Sequence, residues 1–285
     1  MSSAGYAAPG SLDQAVSLLA KNPDARVLAG GHGLLVEPSR SQFANALFVD
    51  LRKVPGLAGI ERDASGGVKI GAMTTLSAIA ADAGLGKTYP TLALAANMTG
   101  DPQLRNRATL GGSIASSDPE ADLPAIALAL DATSQITGAK GARTAKADEF
   151  FGGKSPLAAG DVITGVVLPA PAARTGTAYE AVRNPSTLAP ICGVVATVTL
   201  GADGAATACR VALAGAAARP TRLAGAEKAV TGKKGGDATA AAAGAAAGDG
   251  TTIRGDLFAS ADYRKHLTRV LTERAIKQAF DRAGR

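Results

Sequence analysis

Two glycine-rich runs hold the residues best suited to chemistry in this chain of 285 residues. The first is Ala29-Gly30-Gly31-His32-Gly33-Leu34, where an apolar, strand-like stretch from Arg26 to Ala29 ends in a turn. The second starts at Thr109, passes through Leu110, Gly111, Gly112 and Ser113, and leads to Asp118, Pro119, Glu120 and Asp122. Glycine takes positive φ and leaves its amide unobstructed, so such turns let successive N–H groups converge on one anion. The hydroxyls of Thr109 and Ser113 add donors of the kind a diphosphate takes. A Gly-Gly pair on its own is more often just a tight turn, and each run taken singly leaves that reading open. Taken together, the two runs read as opposing jaws of one nucleotide cradle.

Other chemistries find less support in the residue inventory. The two histidines, His32 in the first turn and His266 in a C-terminal helical stretch, signal no Ser-His-Asp or Cys-His pairing. Neither stands at metal-ligand spacing from a cysteine or an acid, and no metal site is expected. Cys192 and Cys209 lie in apolar, strand-like surroundings and read as buried small hydrophobes. An iron–sulfur cluster takes around four thiolates, which this chain does not have alone. Asp118, Glu120 and Asp122 crowd the edge of the second turn, where a helix N-terminus attracts acids whether or not they do chemistry. The net charge of +6 suits an anionic ligand or an electron-transfer surface, yet the cations are scattered, aromatics make up 4% and tryptophan is absent. That leaves no stacking platform for nucleic acid.

A hydrophobic content of 46% against 19% charged residues marks a folded protein. No uninterrupted apolar run reaches the ~18 residues of a membrane span, and Met1 to Tyr6 lacks the start of a signal peptide. A cytoplasmic location without a transmembrane segment is therefore expected.

Three regions must position the two turns. In residues 1–57, Ser11 caps a helix with Leu12, Ala15, Val16 and Leu19 on one face, followed by strands at Arg26 to Ala29 and Leu47 to Asp50. Leu34-Leu35-Val36 is expected to anchor the first turn. Residues 58–169 give strands near Val68 to Ile70, Ser134 to Thr137 and Asp161 to Leu168, with helices near Leu76 to Ala83, Thr91 to Met98 and Pro124 to Leu130. Pro169-Ala170-Pro171 interrupts regular structure and marks a boundary. In residues 174–285, strands are expected over Thr177 to Arg183, Gly193 to Leu200 and Thr207 to Ala214, the last two joined at Ala202-Asp203-Gly204. A sheet with helices on one side is the simplest packing for this part. Gly235 to Gly250 is rich enough in Ala and Gly to form a helix or a connector. Asp262 to Arg282 is a helix capped by Ser260, with Leu267, Val270, Leu271, Ala275, Ile276, Ala279 and Phe280 on one face.

The ordered motifs resemble those of the FAD-binding (medium) subunit of the molybdenum hydroxylases, the family of xanthine dehydrogenase and aerobic carbon monoxide dehydrogenase. Ala29 to Leu34 is similar to that family's A-G-G-H-S-L, and Thr109 to Ala115 to its T-I-G-G-N-[IL]-A. Ile70 to Leu76 resembles I-G-A-x-T-T, and Asp101-Pro102-Gln103, Arg105-Asn106, Asp118-Pro119 and Asp122-Leu123-Pro124 follow in register. Phe150 to Gly153, Ile163 to Pro169 and the Tyr263-Arg264, Leu267, Val270-Leu271 ending extend the resemblance over nearly the whole chain.

The resemblance implies an α+β fold: a two-lobed FAD-binding domain of the type shared with vanillyl-alcohol-oxidase-like flavoproteins, plus a C-terminal sheet-and-helix domain. It implies that amides of Gly30, Gly31, His32 and Gly33 face one side of the FAD diphosphate and those of Thr109, Gly111, Gly112 and Ser113 the other. It implies a hydroxyl-accepting role for Asp122 toward the flavin's ribityl or ribose. Ala29 and Leu34 belong to the same cofactor-binding set, and no catalytic side chain is implied.

Thr74 and Thr75 are placed by the same resemblance near the cofactor's sugar or ring edge, although a helix cap explains them equally well. Leu168 is placed near the cofactor, and a simple core role fits it as well. Arg105 and Arg107 either stiffen the second turn or face a partner. The resemblance further implies a small subunit with [2Fe-2S] clusters, a large molybdopterin-binding subunit with the molybdenum cofactor, a dimer of heterotrimers, and an external electron acceptor.

Several positions depart from the family pattern. Gly33 stands where Ser is usual, Ser113 where Asn is frequent, and Ala181 where Lys often follows Tyr179-Glu180. Glu37-Pro38-Ser39-Arg40 replaces a more apolar run. Two rival readings stand beside this one: a stand-alone flavin-dependent oxidoreductase, which uses the same cradle and turns over a small molecule without partners, and, given Gly33 and Ala181, a flavin-free interaction subunit, which releases no flavin on denaturation.

Overall fold

The structure is a computed structural model that describes residues 5–36 and 46–285. Its N-terminal part runs β1 (Gly5–Ala7), α1 (Leu12–Lys21), β2 (Arg26–Leu28), α2 (His32–Val36), β3 (Leu47–Asp50), β4 (Ile60–Arg62) and β5 (Val68–Gly71). Then come α3 (Leu76–Ala81), α4 (Ala83–Thr88), α5 (Pro90–Met98), α6 (Pro102–Arg105), α7 (Leu110–Ser116) and α8 (Asp122–Ala129). The chain continues with β6 (Thr133–Gly138), β7 (Gly141–Lys146), α9 (Ala147–Phe151) and β8 (Val162–Leu168). The C-terminal part is β9 (Thr175–Arg183), β10 (Pro190–Leu200), β11 (Ala206–Ala214), β12 (Thr221–Arg222), α10 (Ala224–Val230), α11 (Asp237–Ala246) and α12 (Ala261–Ala283).

By its contacts the chain divides into two compact units. The first comprises Met1–Ala78, Asp101–Ser116 and Ala132–Leu168. It holds a parallel sheet in the order β1-β3-β2 and an antiparallel sheet in the order β4-β5-β8-β6-β7. Ser11 caps α1 by accepting from the Gln14 N–H, and Ala15 and Leu19 pack with Val49, Leu51, Val54, Leu57 and Val162. At the carboxyl end of β3, Asp50 accepts from the Tyr6 hydroxyl at 2.7 Å and takes the Arg52 guanidinium at 2.6 Å. Burial alone would raise the Asp50 carboxyl, but Arg52 and Tyr6 outweigh it and bring the pKa down to about 2. β1, β4 and β7 carry too few apolar residues to be foreseen from pattern; β7 is largely exposed and reads Gly-Ala-Arg-Thr-Ala-Lys.

The second unit comprises Ile79–Gly100, Ser117–Asp131 and Pro169–Arg285, so α5 and α8 fold with the C-terminal sheet rather than with their sequence neighbours. The sheet runs β12-β11-β10-β9, and Gly204 at φ +80° closes the turn before β11. Helices on one side were the expectation; both faces are covered instead. Along β10, Cys192, Val194, Ala196 and Val198 join the cluster built by α10, α11 and α12. Val195, paired with Tyr179, is fully buried on the opposite face, where the Tyr179 hydroxyl meets α8. The unbroken apolar run Ile191 to Ala196 reflects that double burial.

Residues 237–246 resolve the Ala/Gly segment as helix α11. In α12, Ser260 caps the first turn and Arg264, 1% exposed, donates to Ile191 O and pairs with Asp256 at 2.7 Å. Both cysteines are free thiols, and burial pushes Cys192 up to about 11 and Cys209 up to about 12.

Candidate functional site

The first turn leaves β2 at Leu28 and enters α2 through Gly31, whose φ of +81° is left-handed and favours glycine. The Leu35 N–H closes back on Gly31 O at 3.0 Å and opens the helix. Among the described residues, the N–H groups from Gly30 through Leu34 donate to nothing. Gly30 and Gly31 are half-buried, while His32 and Gly33 are exposed. Five successive donors are therefore unpaired among the described residues, the orphan N–H groups of a helix start. The expected apolar anchor is only partial: Leu34 is half-buried, whereas Leu35 is 43% exposed. The Glu37 to Arg40 departure lies outside the described residues.

The second turn is built the opposite way. Its Leu110 N–H donates to Thr74 O at 3.1 Å, Gly111 N–H to Ala72 O at 2.9 Å and Ser113 N–H to Thr109 O at 3.0 Å. Gly112 N–H donates to the Thr109 hydroxyl at 3.2 Å. The expectation that Gly111, Gly112 and Ser113 offer free amides is thus corrected, because the start of α7 is already paired. Gly111 is glycine for packing: a Cβ there would lie 2.5 Å from the Ala72 Cβ. What this turn leaves available is the half-buried Ser113 hydroxyl, unpaired among the described residues, and the exchangeable Gly112–Thr109 bond.

The two turns lie against each other within the first unit. A Cβ on Gly30 would sit 2.1 Å from Arg107 O, and one on Gly112 would sit 3.7 Å from the Ala29 Cβ. Thr74 is buried, and its hydroxyl both donates to Gly59 O at 3.0 Å and accepts from Gly59 N–H at 2.9 Å. Its hydroxyl is thus engaged by the Gly59 loop. Thr75 accepts from the Ala78 N–H and caps α3. Leu168, 2% exposed in β8, is a core residue.

Asp122 belongs to the second unit, at the first position of α8, and is 3% exposed. Its carboxylate accepts from Arg183 at 2.9 and 3.1 Å and from the Tyr179 hydroxyl. The Thr99 hydroxyl, which donates to Ala95 O at 2.8 Å, also lies 3.4 Å from Oδ2. Burial pushes the Asp122 carboxyl above the usual carboxylate range, against the pull of Arg183 and Tyr179. Arg183 also holds Leu188 O at 2.6 Å. The sequence reading missed Arg183; its partner is 61 residues away and no local pattern announces the pair.

The first turn fits a dianionic diphosphate: adjacent unpaired amides, no carboxylate among them, and glycines where side chains would intrude. Residues 2–171 match the family described as the FAD binding domain in molybdopterin dehydrogenase, and residues 177–279 match the carbon monoxide dehydrogenase flavoprotein C-terminal domain. The chain belongs to this family.

Among the molybdenum hydroxylase medium subunits, it is 32% identical to the nicotine 6-hydroxylase medium subunit of Paenarthrobacter nicotinovorans over 96% of both chains. It is similar to the carbon monoxide dehydrogenase of Hydrogenophaga pseudoflava, with TM-score 0.92, 34% identity and 98% of both chains covered. A second solved relative is quinoline 2-oxidoreductase from Pseudomonas putida 86, with TM-score 0.90 and 31% identity over 99% of this chain and 98% of that one. The α+β architecture, the FAD-binding domain with its C-terminal partner domain, and membership of an oxidoreductase family follow from these matches. Among the described residues, no helix is long and apolar enough to cross a membrane.

Proposed function

We propose that the chain is the flavin-carrying electron relay of a molybdenum hydroxylase complex, taking electrons from iron–sulfur clusters on a small partner and passing them to an external acceptor. The observation that carries this reading is the row of unpaired amides from Gly30 to Leu34, set against the second turn inside an FAD-binding domain. Bound FAD supplies the one- and two-electron chemistry, and the protein supplies placement. The first turn would grip the diphosphate through main-chain N–H groups. Ser113 would add a hydroxyl donor, and Gly112 would exchange its bond to Thr109 for one to a phosphate oxygen. Ala29 and Leu34 would flank the gripped group with apolar surface, and Gly111 would hold the second turn close.

The domain limits that go with this reading are 1–57 and 58–169 for the two FAD lobes and 174–285 for the C-terminal domain. Substrate oxidation would occur on a large molybdopterin-binding partner, in a dimer of heterotrimers located in the cytoplasm.

Purification of the affinity-tagged chain from its own cells tests the proposal. Co-purifying molybdenum and iron in fixed ratio to FAD, with flavin absorbance near ~450 nm bleached on substrate-driven reduction, supports it. A chain that oxidises a small molecule alone would favour the stand-alone flavoenzyme, and a complex that releases no flavin would favour the interaction subunit.

A further inference from the structure

The first turn offers amides but no formal positive charge, and a diphosphate brings two negative ones. Arg52, at the carboxyl edge of the parallel sheet, is already neutralised by Asp50 through contacts at 2.6 to 3.1 Å. Arg107 is different. It is exposed, and its guanidinium has no partner among the described residues. Its main chain is fixed on both sides: Arg107 N–H and Ala108 N–H donate to Leu104 O at 2.9 and 2.7 Å, and Ala108 O accepts from Leu76 N–H at 3.0 Å. The neighbouring Asn106 is held by the Ser77 hydroxyl at 2.6 Å. The Arg107 carbonyl occupies the space where a Gly30 side chain would be, so the Arg107 main chain lies against the Gly30 end of the first turn.

We infer that Arg107 is the diphosphate's counter-charge, reaching over the Gly30–Gly31 bend to pair with phosphate oxygens that the first-turn amides hold. Guanidinium–phosphate pairing is charge-assisted and geometrically specific, and here the arginine's backbone is positioned in advance. The inference rests on the flavin-binding reading and adds to it a residue that lies outside both glycine signatures. Because the group is exposed, its contribution is electrostatic and sensitive to salt.

Titration of FAD into the flavin-stripped full chain at ~0.05 M and ~1 M salt tests the inference. Arg107→Met should weaken FAD binding about tenfold at low salt, with the gap closing at high salt, where the screening length falls to ~3 Å. Arg107→Lys should keep most of the affinity, and Lys140→Gln, at an exposed lysine of the same unit, should match the unchanged chain. Equal FAD affinity of Arg107→Met and the unchanged chain at low salt would overturn the inference. So would an equal loss at both salt concentrations, which marks a structural role. An unchanged chain that takes up no FAD would instead overturn the flavin reading, and the inference with it.

Discussion

The two glycine turns have nearly the same composition and opposite hydrogen-bond economies. Among the described residues, the main chain from Gly30 to Leu34 leaves its donors open; from Leu110 to Ser113 the donors are consumed by Thr74, Ala72 and Thr109. In the first turn, Gly31 is glycine for its backbone angle and Gly30 for the close approach of Arg107 O. In the second, Gly111 is glycine because Ala72 leaves no room. A Gly-Gly pair therefore does not by itself mean an anion site. Where the amides go decides it.

Substitutions that separate fold from binding break or sharpen this contrast. Gly111→Ala forces a Cβ to 2.5 Å from the Ala72 Cβ and 2.8 Å from its carbonyl. It should cost about 3 kcal/mol of stability and be read as a lower melting temperature even without flavin. A Cβ on Gly112 would meet the Thr109 hydroxyl at 3.0 Å and the Ala29 Cβ at 3.7 Å, so Gly112→Asp should fold. The added carboxylate should weaken FAD binding by about 100-fold, or roughly 2.7 kcal/mol, in a titration. Retention of flavin by that variant would leave the second turn as packing alone.

Acid titration probes the sheet edge beneath the first turn, since Asp50 pairs in register with Leu28. Its carboxyl is depressed to about 2, so its stabilising effect is full above the ordinary carboxylate range and lost as pH falls toward 2. Asp50→Asn should therefore be less stable than the unchanged chain by about 1.5 kcal/mol at pH 7, allowing for the half-exposed Arg52, with the difference vanishing near pH 2. The smallest effect is expected at Gly33, where a Cβ meets nothing within 4 Å. Gly33→Ser should leave stability unchanged and tighten FAD about fivefold through one added hydroxyl donor, as a titration would measure.

Local pattern made most of this molecule legible. The Ser11 and Ser260 caps, the strands at Leu47–Asp50 and Val162–Leu168, and the face of α12 all follow from residue spacing. The C-terminal sheet's second covered face was written in Ile191 to Ala196, an unbroken apolar run that a one-sided sheet does not require. What stayed hidden depends on partners distant in the chain: the pairing of Gly111 with Ala72, of Thr74 with Gly59, and of Asp122 with Arg183 and Tyr179. Sequence motifs located the second turn correctly but not the fate of its amides, because Ala72 and Thr74 reach it only in the fold.

Residue-resolved amide hydrogen exchange on the full chain, with and without FAD, distinguishes the two turns at the atoms that define them. The amides from Gly30 to Leu34 should exchange rapidly in the flavin-free chain and become strongly protected when FAD binds, while Gly111 and Ser113 should be protected in both states. First-turn amides that FAD leaves unprotected, with new protection confined to the second turn, would contradict this assignment of the diphosphate grip.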